Sequence, residues 1–163
     1  MILTPHILAG AVAAAKIQNP LIGLPLAFLS HFILDALPHR EYSITRISEP
    51  KSKNFPRSAG KVLVDFSLGL GLVMWAVGPE INFPYLVGAI FLAILPDFFQ
   101  LLNLLNPRWL AKFNRWHCDI IHLKYPLPTK WRAGRPKIRR LADWGWASQI
   151  VCSAVMLIIL IWR

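Results

Sequence analysis

The sequence predicts an all-α polytopic membrane helical bundle with about five membrane-embedded helices, forming a single domain over residues 1–163. Three observations lead there. The chain is 55% hydrophobic and only 16% charged, with a mean hydropathy of +0.46, whereas an ordinary soluble domain is ~45–50% apolar and ~25% charged. The apolar residues fall into five runs separated by Pro, Gly and polar stretches. Finally, 18 Lys and Arg stand against 8 Asp and Glu, and nearly all the basic residues sit in two stretches between apolar runs.

The elements follow in order. Thr4-Pro5 reads as a helix start, with Thr4 as the cap and Pro5 in the first helical position. No basic segment precedes this apolar run, so it is not read as a cleaved leader. The helix runs to about Gln18, where Asn19-Pro20 breaks it, and a second helix runs from Pro20 to Ala36 and ends near Pro38. The two read as a hairpin. Each is shorter than the ~20 residues of a full span, which packing against longer helices or local thinning accommodates. Residues 39–58 are polar, contain Pro50 and Pro56, and read as a loop. Residues 59–78 are a span containing Asp65, and Gly78-Pro79-Glu80 is a turn. Residues 84–105 are a span containing Pro96-Asp97. Residues 106–140 are basic and aromatic, with a short helix at about 108–123, and residues 141–162 are the last span. Gly69 and Gly71 read as close helix packing. Cys118 and Cys152 are too few for a disulfide framework and are expected to be reduced.

Charge sets the orientation. Arg40, Arg46, Lys51, Lys53, Arg57 and Lys61 lie in the first basic stretch, and Arg108, Lys112, Arg115, Lys124, Lys130, Arg132, Arg135, Lys137, Arg139 and Arg140 in the second. The positive-inside rule makes loops 39–58 and 106–140 cytoplasmic in a multi-pass protein of the cell (inner) membrane. Trp75 and Trp162 then fall at the outer interface, and Trp109, Trp116, Trp144 and Trp146 at the inner one. Anionic lipid headgroups are the expected partners of the basic loops. Nucleic acid is not, because stacking positions and a binding-fold signature are missing, and no motif names a protein partner.

This topology places the ionisable residues of the apolar runs at one depth. His6 begins an outward helix, His31 and Asp35 end an inward one, Asp65 is early in an outward helix, and Asp97 is late in an inward one. His39, His117, Asp119 and His122 border the cytoplasmic loops. Acids within membrane helices are costly, and they face the bundle interior, pair, or serve a functional path. A divalent cation is the simplest shared partner, since it offsets carboxylate burial and binds imidazole.

His31 and Asp35 are i,i+4 and share a helical face, and His39, beyond Pro38, can swing toward the same site. The alternative is a satisfied Asp–His hydrogen bond at a helix end. Pro96 frees a backbone carbonyl and bends the helix at Asp97; the alternative is an Asp97–Arg pair. Asp65 is a ligand or one end of an interhelical hydrogen bond. Asp119 and His122 share a face, and His117 and His122 stand ~140° apart on an ideal helix, so both reach one metal only where the helix starts or bends; His122 is preferred over His117 as a ligand. The alternative there is a polar helix on the membrane surface. His6 is a ligand or an interfacial residue at a helix start. Asp143 is expected to place negative charge in the first turn of the last helix.

Thr4-Pro5-His6 with Gly10, the His31-x3-Asp35-x2-Pro38-His39 block, Leu95-Pro96-Asp97 and the later His117 and His122 resemble the small bacterial membrane-bound metal-dependent hydrolases. That family has been likened to zinc-dependent phospholipase C, in which an H-x3-D helix with later histidines holds zinc. The resemblance implies a metal-dependent hydrolase acting on a phosphoester, in a membrane lipid or lipid-linked substrate, at the cytoplasmic face. The ligand candidates are His6, His31, Asp35, His39, Asp65, Asp97, His117 and His122. Zinc is the first choice of ion and manganese the second. Asp35, Asp65 and Asp97 are the catalytic carboxylates, as ligands or, for one of them, as general base, and Arg40, Lys61 and Arg115 are the phosphate clamps. The alternatives are a non-enzymatic protein that handles metal ions or protons, and a structural membrane component with its acids paired to basic residues.

Overall fold

The computed structural model describes residues 2–37, 39, 55–105, 110–117 and 136–162. They form six helices: α1 (Leu3–Lys16), α2 (Pro20–Asp35), α3 (Phe55–Ala76), α4 (Phe83–Leu105), α5 (Ala111–Trp116) and α6 (Pro136–Ile161). Among the described residues there is no strand. Two boundaries differ from the expected ones because proline serves as a start signal. α3 begins within the expected loop with Pro56 in its first turn, and α6 begins on Pro136 itself. Proline suits these positions, since its missing N–H falls among donors that have no helical partner. Asp143 therefore lies two turns into α6, not in its first turn.

The shortest of the five long helices stands in the middle. α1 packs against α2, α3, α4 and α6, and Thr4 to Ala11 are all buried. The cause is its run of small side chains, which lets backbones approach. At Gly10 an added Cβ would stand 2.8 Å from both Ala89 O and Ile90 Cα of α4. At Gly69 of α3 it would stand 2.8 Å from Ile7 Cδ1 and 3.2 Å from Thr4 Cα. Gly69 is thus the packing glycine that was expected, whereas Gly71 has open space around it. Ile7, Leu8, Ala11, Val73, Leu86 and Ala89 form the core around α1. Cys152 of α6 is a free thiol packed against Ala9 and Leu34.

Hydrogen bonds settle which helix ends lie together. Lys16 Nζ reaches Trp162 O at 2.5 Å, joining the C-terminal ends of α1 and α6. Tyr85 Oη donates to Ile17 O at 2.9 Å, bringing the start of α4 to the same end. Thr4 Oγ1 donates to Asp65 Oδ1 at 2.6 Å, joining α1 and α3 at the opposite end. Successive long helices therefore alternate in direction, as the expected path requires. Asn19 caps α2 by accepting from Leu21 N at 2.9 Å, and Asn82 caps α4 by accepting from Tyr85 N at 3.1 Å.

Large apolar side chains lie on the outer surface. Leu63, Val64, Leu68, Met74 and Trp75 of α3 and Ile150, Val151, Val155 and Ile158 of α6 are exposed. The hydroxyls of Ser30 and Ser148 donate back to the carbonyls of Ala27 and Gly145 on their own helices, so neither needs water. Two helical stretches, Phe55–Ala76 and Phe83–Leu102, are long and apolar enough to cross a membrane. Of the five expected spans, α1 and α2 fall short at 14 and 16 residues, and the apolar part of α6 is Gly145–Ile161.

The two glycines give a paired expectation. Gly10→Val drives a branched side chain into the α4 backbone and costs ~1–3 kcal/mol or more. Gly71→Ala meets nothing and gains up to ~1 kcal/mol from helix propensity. Thermal unfolding in detergent micelles reads both; equal melting temperatures for the two variants would contradict the packing described here.

Candidate metal centre

Asp35 ends α2 with a side chain that has no exposure. Its Oδ2 lies 2.9 Å from His31 Nε2, one turn earlier on α2, and 3.4 Å from His117 Nε2 at the end of α5. Its Oδ1 lies 3.3 Å from His6 Nε2 of α1. Asp97 of α4 closes the group, with Oδ1 3.8 Å from His31 Nε2 and a side chain 18% exposed. All three imidazoles are fully buried. One ligand atom each from His31, Asp35, Asp97 and His117 can be chosen so that all lie within 4.8 Å of one another, and this set could hold a metal ion.

The proline in α4 bears on this arrangement. Pro96 has no N–H, so the carbonyl of Leu92 loses its helical donor and the ladder loosens there. The next carbonyl, Ala93 O, lies 2.8 Å from His31 Nδ1. A carbonyl only accepts, so His31 donates through Nδ1, and Nε2 of the neutral ring keeps its lone pair. That lone pair faces carboxylate oxygens. Two acceptors 2.9 Å apart repel unless positive charge lies between them, either a proton on Nε2 or a metal ion. Despite the short distance, Nε2 has no partner in hydrogen-bonding geometry among the described residues. Metal-binding histidines commonly donate their other N–H to a backbone carbonyl, as His31 does here.

His117 is held by aromatic packing. Phe113, one turn earlier on α5, stacks on its ring at 5.9 Å and 6°, and Phe32 of α2 meets it edge-on at 5.8 Å. Phe99 of α4 in turn meets Phe113 edge-on at 5.4 Å. This clasp turns His117 inward. His122, the preferred ligand of the pair, lies outside the described residues.

The other candidates fall elsewhere. Asp65 serves α1: it accepts from Thr4 N at 3.2 Å, from Leu3 N and from Thr4 Oγ1, and it therefore caps α1 from a neighbouring helix. The cap residue within α1 is Ile2, which has no capping side chain, so Thr4 is held by the cap and does not form it. His39 Nδ1 donates to Leu37 O at 2.7 Å, and His39 is not in the four-residue group. Lys61 is exposed on α3, one turn before Asp65. Arg115 lies in α5, but its side chain, like Arg40, Cys118 and Asp119, is outside the described part. Trp75 and Trp162 are exposed at one end of the bundle and Trp116 and Trp146 at the other, where the polar cluster lies; Trp146 and Trp162 are about 24 Å apart along α6.

No family model, curated protein or solved structure matches this chain.

These assignments separate two carboxylates by experiment. Asp65→Ala removes a cap and costs ~1–2 kcal/mol, yet leaves the ion of the four-residue group bound, because its oxygens serve α1. Asp35→Ala abolishes metal binding. Metal content of the detergent-purified variants, read beside their melting temperatures, decides between the roles, and loss of metal from the Asp65 variant would return Asp65 to the ligand set.

Proposed function

We propose that this chain is a multi-pass membrane protein with a metal-dependent phosphoesterase site at its cytoplasmic face. The observation that carries the reading is the orientation of His31, whose Nδ1 is committed to Ala93 O while its buried Nε2 faces the carboxylates of Asp35 and Asp97. A cluster of buried carboxylates and imidazoles is costly without a shared cation. Imidazole and carboxylate together suit zinc or manganese.

The chemistry follows from the donor set. A divalent ion bound there would polarise a phosphoryl oxygen and make water a stronger acid. Asp35, His31 and His117 are the most buried groups and would hold the ion. Asp97 is the group of the four that reaches the exterior, and its Oδ2 has no hydrogen-bond partner among the described residues. It would take the proton from an attacking water. Arg57, Lys61 and Lys112 are exposed on the helices that border this end. With Arg40 and Arg115 in the basic stretches, they would draw in an anionic headgroup. The exposed apolar side chains Leu37, Phe98, Leu110 and Trp116 belong to the same end, which favours an amphiphilic substrate such as a membrane lipid or lipid-linked phosphoester. Five helices in the bilayer, with α1 shielded by the others and both basic stretches cytoplasmic, is the membrane arrangement that goes with this reading.

A proton or ion conductor is the competing reading. It needs polar groups along the whole path, and the core at the far end is built from Ala11, Ala13, Ala14, Leu86 and Ala89.

The test is metal content and turnover together. Protein purified in detergent is assayed against a chromogenic phosphodiester and against short- and long-chain phospholipids, with and without a chelator. The expected result is bound zinc or manganese and hydrolysis that chelation stops. Asp35→Asn and His31→Gln should lower metal affinity by at least the ~10–100-fold that loss of an outer partner costs. Wild-type protein that binds no divalent metal would end this proposal.

A further inference from the structure

His6 stands against the four-residue group without belonging to it. It is fully buried, and among the described residues neither ring nitrogen has a partner in hydrogen-bonding geometry. Its ring stacks on His31 with centroids 4.2 Å apart and planes 24° apart. The Asp35 carboxylate is divided between two sides. Oδ2 faces His31 and His117, and Oδ1 faces His6. Metal–nitrogen and metal–oxygen bonds of ~2.0–2.1 Å at a tetrahedral angle place two donors ~3.3–3.4 Å apart. His6 Nε2 and Asp35 Oδ1 are 3.3 Å apart, and His117 Nε2 and Asp35 Oδ2 are 3.4 Å apart.

From this geometry we infer a second divalent-cation site between His6 Nε2 and Asp35 Oδ1, with Asp35 bridging it to the ion of the four-residue group. The inference rests on the metal-centre reading above and deepens it. Each carboxylate oxygen serves one ion, and the stacked His6 and His31 rings supply one nitrogen to each. The second site has two protein ligands, so its remaining positions are open to water and to phosphoryl oxygens. Paired ions ~3.5–4 Å apart are suited to clamp both the attacking and the leaving oxygens of a phosphoryl displacement. The position of His6 depends on the α1 cap, because Thr4, bonded to Asp65, lies only two residues before it.

Manganese(II) is the probe. Purified wild-type protein is loaded with manganese, freed of excess, and examined by elemental analysis and electron paramagnetic resonance. The expected result is two ions per chain with the spectrum of a spin-coupled pair. His6→Ala and the more conservative His6→Asn should each retain one ion with the spectrum of isolated manganese. The wild-type spectrum requires no variant, so a misfolded substitution does not leave the question open. One uncoupled ion in the wild type overturns the second site and leaves the four-residue centre standing. No ion at all overturns both, and two coupled ions retained in folded His6→Asn overturn the role of His6.

Discussion

The Asp35 carboxylate is the constraint on which this arrangement turns. It has no exposed surface and sits where α1, α2, α4 and α5 meet. A carboxylate in such a place is strongly unfavourable unless positive charge or hydrogen-bond donors surround it. The bundle places three imidazoles within 3.4 Å of its oxygens, each from a different helix. Packing of those helices and compensation of the charge are therefore one requirement. A helix that shifts by a fraction of a turn loses both.

Two devices away from the cluster hold it in place. Asp65 caps the N-terminus of α1 from α3, satisfying donors that α1 cannot satisfy itself. In an apolar surrounding such donors have no water to turn to. The cap sets the depth of α1 relative to α3, and with it the height of His6. The second device is the Pro96 region of α4, where the carbonyl of Ala93 accepts from His31. This contact selects the tautomer of His31 and turns its free nitrogen toward the carboxylates. Both devices use backbone groups: the N–H groups of Leu3 and Thr4 in the first and the carbonyl of Ala93 in the second.

The apolar exterior and the polar end give the molecule a directional character. Large apolar side chains are exposed on α3 between Leu63 and Trp75 and on α6 between Trp146 and Ile161, while the buried histidines and aspartates gather at the end that carries Trp116 and Trp146. The opposite end is joined by Tyr85 and Lys16 bonding to backbone carbonyls.

Much of this was legible in the residues. Composition and the spacing of apolar runs specify helices, because burial without water requires backbone groups to bond within their own segment. The alternation of helix direction and the gathering of His6, His31, Asp35, Asp97 and His117 at one end follow from where each lies along its run. Other features were beyond sequence patterns. That α1 is central depends on Gly10 and Gly69 meeting other helices, and a glycine's neighbours across space leave no mark on its own segment. Whether an aspartate between apolar residues bridges imidazoles, as Asp35 does, or caps a neighbouring helix, as Asp65 does, depends on which helix end lies within hydrogen-bond reach. The inward turn of His117 depends on Phe32 and Phe113 closing on its ring. Periodicity specifies what each helix offers along its faces. Only the assembled bundle decides which offers meet, because contact energies arise between segments distant in the chain.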